Sequence, residues 1–508
     1  MKEKVGLHPV MMFLILILIS IVTSGILNFL NVSATYHNFV EPSSTYTSTT
    51  EAVRSLFSLS GIKYIFTNTV SNFANFTVLS NLIIILIGIG VMEKSGFLKT
   101  LVTLLTKRQK KYVVTFVLVL FCMLASIMGD LPYIVMIPLS ALIFLYGKRN
   151  PMIGIITSYA ALTCGSGLSV LFTSMDSSLR SLTIMNAGIL DPTFNMSIWN
   201  FFLINLLVII VASIFITKIT EDYIAKKLPK YEFPITELDE EIVTKKQLKG
   251  LIYACGICFL YLLIVVYNII PGLPFSGNLL DKTQHLYIDQ LFSFNSFFTN
   301  GFVFIITFLF VLAGLFYGIG AKTINNNKDF AENLGHSLDG TGETFVLIFM
   351  ASAFISIFKQ TNIGNTIVAG FASIIGNSGI TGLPLVLLLF FATIVSTIFM
   401  PSSLSKWTIL ASTVVPTFMN AGLSPQFAQI VFRLGESVTM GLTPMLAYFV
   451  IYLAYLEHYN QSDKPIQLFS ALRVQVPYAL LMLAVTIITI IVWYVTNIPL
   501  GVGGYVSL

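Results

Sequence analysis

Three charged residues, Lys406, Arg433 and Glu436, stand alone in the otherwise uncharged stretch from Phe390 to Tyr448. Arg433 and Glu436 are three apart, so they share one face of a helix, and Gln429 extends that polar stripe by one turn. A guanidinium held this way can grip a carboxylate through two parallel hydrogen bonds. In an apolar setting the pair is either a structural clamp or part of a binding and coupling site. Just upstream lies PSSLSKW, residues 401–407. Pro401 removes a backbone donor, and the hydroxyls of Ser402, Ser403 and Ser405 compete for the backbone. An unwound point there exposes carbonyls suited to Na⁺, while the helix that follows offers its N-terminus to an anion. Lys406 could neutralise an acidic solute, and Trp407 offers an aromatic surface. The alternative is an ordinary re-entrant turn whose lysine snorkels to an interface.

The first half of the chain carries its own set: Asn72, Asn75, Asp130, Ser166, Ser169 and Asp176. Asp176 reads as a proton carrier or a cation-associated carboxylate, with a loop salt bridge to Arg180 as the other reading. Asp130, in a GDLP turn, reads as a helix cap or a coupling residue. Sodium, an alternative to the proton as coupling ion, would sit near Ser169 and Ser405; no resident cofactor is expected. Cys255 and Cys258 spell a CxxC inside LIYACGICFLYLLIVV, where lipid-side or packing thiols are the reading rather than redox or zinc chemistry. The five histidines have no metal-ligand spacing, and no phosphate-binding glycine motif occurs. ATP hydrolysis, nucleic-acid binding and hydrolytic catalysis therefore find no support.

Such groups must be positioned by elements that lie in lipid. The chain has 508 residues, 56% apolar and only 10% charged, with mean hydropathy +0.86; soluble domains carry roughly 25% charged residues. Apolar runs near ~20 residues long recur throughout, the length that spans a bilayer. Basic clusters, Lys2 and Lys4, Lys107–Lys111, Lys148–Arg149 and the connector after residue 217, mark the cytoplasmic side. The expected layout is a first span and extracytoplasmic loop over 1–60, then a first repeat with a re-entrant element over 61–216. A cytoplasmic connector covers 217–250, middle spans and loops 251–345, a second repeat with a re-entrant hairpin 346–456, and a loop with the last span 457–508.

The halves rhyme at an offset of about 270–280 residues. YVVTFVLVLFCMLASIMGDLPYIVMIP parallels LPLVLLLFFATIVSTIFMPSSLSKWTILASTVVP, each a run, a polar break and a second run reaching proline. Pro151 and Pro425 then lead into spans broken near Gly165 and Gly435. Matched interruptions point to a midplane site between repeats. The fold class is an all-α polytopic membrane protein with about nine transmembrane helices and two re-entrant hairpins in two inverted repeats.

Four stretches carry a family resemblance: FTNTVSNFANFTVLSNLIIILIGIGVMEKSG (66–96), YIVMIPLSALIFLYGKRNPMIGI (133–155), NAGILDP (186–192) and SKWTILASTVVPTFMNAGLSPQFAQIVFRLGESVTMGLTPMLAYF (405–449). In order and spacing they resemble the aminobenzoyl-glutamate transporter (AbgT) family. The resemblance implies a homodimer in a bacterial inner membrane, each protomer with its own pathway. It implies a proton- or sodium-coupled carrier of p-aminobenzoyl-glutamate or a similar small organic anion, with efflux of sulfonamide antimetabolites as the alternative. A membrane enzyme or non-transporting scaffold is the remaining, weaker reading. The family's functional positions fall on Asp176, Trp407, Pro425, Arg433 and Pro444. This sequence departs at Leu404, where the family has serine, at Glu436, where it has aspartate, and in the GLSVLFTSMD segment.

Overall fold

Apolar runs bounded by cap residues become helices here because a helix satisfies its own backbone hydrogen bonds, as lipid demands. The structure, a computed structural model, describes residues 7–40, 45–106, 109–170, 172–233, 243–293 and 295–508. The orientation markers Lys2, Lys4, Lys107 and Arg108, and residues 234–242 of the connector, lie outside the described residues.

Helix α1 (Pro9–Phe29) leads into a two-stranded antiparallel sheet, β1 (Ser33–Val40) and β2 (Thr45–Ala52), paired from Ser33↔Ala52 to Val40↔Thr45. The expected extracytoplasmic loop thus carries a β-hairpin within an otherwise helical fold. Alternating Thr and aromatic residues in SATYHNFV and TYTSTTEA fit a strand, a local signal that a hydropathy scan overlooks. Next come α2 (Leu59–Ala74) and α3 (Thr77–Lys94), broken only at Asn75–Phe76. Residues 61–80, the opening of the expected first repeat, are therefore mostly regular helix.

Helix α4 (Phe97–Thr106) precedes a helical pair, α5 (Lys111–Leu124) and α6 (Leu131–Tyr146). The pair is joined by a 3₁₀ turn at Ala125–Met128 and by Gly129, whose φ of 63° only glycine adopts freely. Two short helices follow, α7 (Pro151–Gly165) and α8 (Ser174–Ala187), then α9 (Phe202–Ile219), a π-helical segment at Thr220–Ile224 and a last turn α10 (Ala225–Lys227). In the middle stand α11 (Lys245–Ile269), the short α12 (Tyr287–Phe292), α13 (Phe297–Ala321) and the polar α14 (Asn327–His336).

The second half then runs α15 (Gly342–Gln360), α16 (Ile363–Asn377), the pair α17 (Gly382–Phe399) and α18 (Ser403–Asn420), the broken pair α19 (Pro425–Thr439) and α20 (Phe449–His458), and the long α21 (Leu468–Thr496). Among the described residues eight helical stretches are long and apolar enough to cross a membrane, α2–α3 and α9–α10 each counting as one. The chain is a polytopic, predominantly helical membrane protein. Its core is α6, α7 and α19, whose residues are almost all buried. Helices α1 and α11 are the outermost, each with 17% of its apolar window covered.

Contacts between the halves run antiparallel. The start of α9 meets the chain just past the end of α21, Ile204 N donating to Leu500 O at 3.0 Å. At the other end Thr220 and Tyr478 share a hydroxyl hydrogen bond of 2.8 Å. Two further contacts tie the ends of the first half together: Arg149 pairs with the buried Glu221 at 2.6 Å, and Thr115 donates to the same carboxylate.

Candidate functional site

Four helix breaks meet in the interior: the α5–α6 tip, the α7–α8 break, the α17–α18 tip and the break after α19. Each exists because glycine, proline or clustered hydroxyls interrupt an apolar run, as at Gly129, Gly165–Ser166 and Pro401–Ser402. Between them opens a cavity of about 680 Å³, within the range of small-molecule sites. From the expected site residues it takes Asn75, Asp130, Ser166, Ser169, Ser402, Ser403, Ser405 and Arg433 as lining.

Arg433 is the cavity's anchored cation. One amino group donates to Ser403 Oγ (2.9 Å) and Glu436 Oε2 (2.8 Å), and the other to the Ser166 carbonyl (2.7 Å). A single guanidinium thus ties α19 to the α18 N-terminus and to the α7–α8 break. Its Nε has no hydrogen-bond partner among the described residues. Glu436 turns its other oxygen to Lys406 Nζ at 2.8 Å, and Lys406 also donates to Thr397 at 2.5 Å. Both Lys406 and Glu436 are fully buried behind the cavity wall. Two cations against one carboxylate leave this triad with an excess positive charge.

Trp407 lies outside the cavity in this conformation. It is completely buried, its ring 4.7 Å from that of Phe432, and its indole N–H donates to Thr183 Oγ at 2.9 Å. Thr183 in turn donates to Gln429 Oε1 at 2.6 Å, so Gln429 and Trp407 meet through α8. Asp176 forms a capping box with Thr173, accepting from its hydroxyl (2.7 Å) and its backbone N–H (3.0 Å). Its expected alternative partner, Arg180, instead donates to Met196 O and Asn195 Oδ1. Pro425 opens α19 at its first turn, and Pro444 lies in the break ahead of α20. Asn72 donates to Tyr64 within α2, away from the cavity. Ser405 shares a hydroxyl hydrogen bond with Ser402 (2.9 Å), and the Ser169 carbonyl accepts from Asn205 (2.8 Å).

Asp130 occupies the N-cap position of α6 but makes no cap hydrogen bond. Its carboxylate instead accepts from the Tyr448 hydroxyl on the cavity wall. Several lining residues lie outside the expected set: Tyr133 and Tyr448, stacked with ring centroids 5.1 Å apart, and Lys359, Asn362 and Asn365 at the α15–α16 junction. Lys359 sat in the run FISIFKQTNIGNT, whose polar interruption inside an apolar helix was the available clue. The tyrosines had none, since each is an ordinary core residue by its neighbours. Asn362 has a φ of 61° and grips the β-hairpin, donating to Glu51 Oε2 and to Ala52 O.

No group of three or more His, Cys, Asp or Glu side chains among the described residues could hold a metal ion. All four cysteines are free, with Cys255 exposed on α11. A polar cavity between broken helices of a polytopic protein is the architecture of a membrane transporter.

The chain belongs to the AbgT transporter family: the family model described as "AbgT putative transporter family" matches residues 3–508. It is 27% identical over 506 residues to the p-aminobenzoyl-glutamate transport protein of Escherichia coli (strain K12), covering 99% of this chain and 94% of the relative. Among solved structures it is similar to the YdaH transporter of Alcanivorax borkumensis at 25% identity and TM-score 0.48, over 97% of this chain and 100% of that one. It is likewise similar to MtrF of Neisseria gonorrhoeae, described as illuminating a class of antimetabolite efflux pumps, at 26% identity and TM-score 0.49, over 99% and 98%. It is a multi-pass protein of the bacterial inner membrane and a transporter by family.

Proposed function

We propose that this protein is a secondary carrier of p-aminobenzoyl-glutamate or a similar aromatic, acidic solute, driven by a proton or sodium gradient. The observation that carries this reading is the cavity itself, with the Arg433 guanidinium on its wall and hydroxyls and tyrosines around it. Arg433 suits a carboxylate, and stacked Tyr133 and Tyr448 offer an aromatic ring a flat neighbour. The E. coli relative named for p-aminobenzoyl-glutamate supports the solute class.

Two inverted repeats with re-entrant hairpins would supply alternating access. Helices α5 and α6, of 14 and 16 residues, are only about 21–24 Å long at 1.5 Å per residue, short of a ~30 Å hydrocarbon core. The antiparallel contacts of α9 with α21, and of Thr183 with Gln429 beside Gly167 with Arg433, support inversion. Nine spans and two hairpins follow if α17–α18 dips in from the opposite side. Sodium, as cargo rather than resident ion, would find carbonyl and hydroxyl oxygen at Ser169, Ser402 and Ser405. A homodimer is part of the same proposal, with the outermost helices α1 and α11 as available faces. Sulfonamide export, the alternative cargo, would use the same cavity in reverse, since a reversible carrier follows its gradients.

The test is uptake of radiolabelled p-aminobenzoyl-glutamate into proteoliposomes under a sodium gradient and, separately, a pH gradient, with sulfonamides as competitors. Saturable uptake under at least one gradient is expected. Folded protein that moves no label under either would sink the reading.

A further inference from the structure

Asp130 stands out among the charged groups of the cavity. It sits on the tip between α5 and α6, its side chain is exposed to the cavity, and it is not used as a helix cap. No lysine, arginine or histidine among the described residues forms an ion pair with it. The groups that face it are named readily. Tyr133 comes from α6 and Tyr448 from the break ahead of α20, and Thr77 at the start of α3 meets Tyr448 on the same cavity wall. Arg433 on α19 and Lys359 on α15 line the same cavity, with Ser166 and Leu162 contributed from the α7 side. Lys406 and Glu436 stand behind Arg433, and Asp176 is turned away into its capping box.

Charge balance then fixes what a bound solute requires. Lys359, Arg433 and Lys406 against Asp130 and Glu436 leave one net positive charge on and directly behind the cavity wall. A dicarboxylate entering this space overshoots by one negative charge, and Asp130 is the carboxylate among the cavity's lining residues. Like charges confined together away from bulk water repel strongly, and a carboxylate relieves the repulsion by binding a proton.

We propose that Asp130 is the coupling residue: it takes up one proton as an aromatic dicarboxylate binds, so that proton and anion occupy the cavity together and cross in the same direction. The inference rests on the solute class proposed above and deepens it. The chemistry is a reversible ionisation. A hydronium ion in the cavity breaks one O–H bond, leaving water, and its proton forms an O–H bond with the carboxylate, which then donates to Tyr448 or to the solute. When the anion leaves on the far side, the proton leaves with it. Asp176 is placed differently: its Oδ2 accepts from the Thr173 hydroxyl and backbone N–H inside the capping box, and it does not line the cavity. Binding linked to a single proton also sets the sense of coupling. Acid must tighten anion binding, and by linkage the anion must tighten proton binding equally.

Two measurements on the full-length purified protein test this. The first needs no solute: infrared difference spectra on acidification, for the natural protein and for Asp130→Asn. A carboxylic-acid band that grows with acid and is missing from Asp130→Asn is expected. The same band retained in the variant would overturn the proposal. The second is calorimetric binding of p-aminobenzoyl-glutamate across pH in two buffers of different ionisation heat. Affinity should tighten by up to about tenfold per unit fall in pH, the limit for one linked proton, with net proton uptake. Asp130→Asn should bind with an affinity that no longer depends on pH. Weakening on acidification, or an unchanged pH dependence in the variant, would overturn the coupling. If p-aminobenzoyl-glutamate binds at no pH, the solute reading fails, and the infrared band alone then decides for or against Asp130.

Discussion

At the scale of single residues, the site is a chain of charges whose members cannot be removed independently. Arg433→Ala deletes three hydrogen bonds at once and leaves Glu436 with Lys406 alone. Transport should be abolished and equilibrium binding of p-aminobenzoyl-glutamate weakened; unchanged affinity would reduce Arg433 to a structural or gating part. Glu436→Gln poses the opposite problem, two buried cations with no anion between them. Breaking a buried pair in this way costs about 3–5 kcal/mol, so a clear fall in melting temperature in detergent is expected. A variant as stable as the natural protein would mean the triad is already neutral. The sequence exposed these partners because charges are rare in apolar stretches. It could not reveal that Lys406 turns inward to Glu436, nor that Trp407 spends its N–H on Thr183, 224 positions away.

At the scale of elements, the informative objects are the breaks. Gly167, in the α7–α8 break, lies where an added Cβ would be 2.1 Å from the Arg433 carbonyl and 2.4 Å from Ser437 Oγ. Backbone on α19 cannot yield as a flexible side chain would. Gly167→Ala should cost on the order of 1–3 kcal/mol and push Ser166 off Arg433, so uptake should fall further than stability does. Equal losses in a melting curve and an uptake assay would argue that the contact is only packing. Most breaks were legible because glycine, proline and serine punctuate apolar runs. The β-hairpin was not, since its strands are polar and outside the hydropathy signal. The regular course of α2 was also hidden, because Asn68, Asn72 and Asn75 suggest interruptions whereas Asn68 and Asn75 satisfy their amides within the helix.

For the molecule as a whole, the question is which side the cavity opens to. Asn362 lines it and also holds Glu51 and Ala52 of the β-hairpin, while Arg54 N donates to Thr361 O just beside it. The hairpin belongs to the segment expected outside the cytoplasm, so this conformation is read as open outward. In a background with Cys255 and Cys258 replaced by serine, Ser405→Cys should react in intact cells with a membrane-impermeant maleimide. Added p-aminobenzoyl-glutamate should slow that reaction. Reaction only in inside-out vesicles would reverse the orientation. The overall architecture was readable from hydropathy and the paired interruptions, because lipid imposes length and polarity on every crossing. The cavity's second wall was not, since the polar interruption at Lys359 and Gln360 marks a helix end and only packing brings it to the cavity.

The burial of Trp407 makes the protein its own optical instrument. The chain has three tryptophans, of which Trp199 is 41% exposed, Trp493 4% and Trp407 not at all. Replacing Trp199 and Trp493 by phenylalanine leaves one fluorophore, held between Phe432 and Thr183 at the joint of α8, α18 and α19. Its emission should be blue, and any rocking that parts α8 from α18 should strip the indole of its partner and shift the spectrum. Stopped-flow mixing with p-aminobenzoyl-glutamate would then time the carrier's conformational step directly, with no label attached.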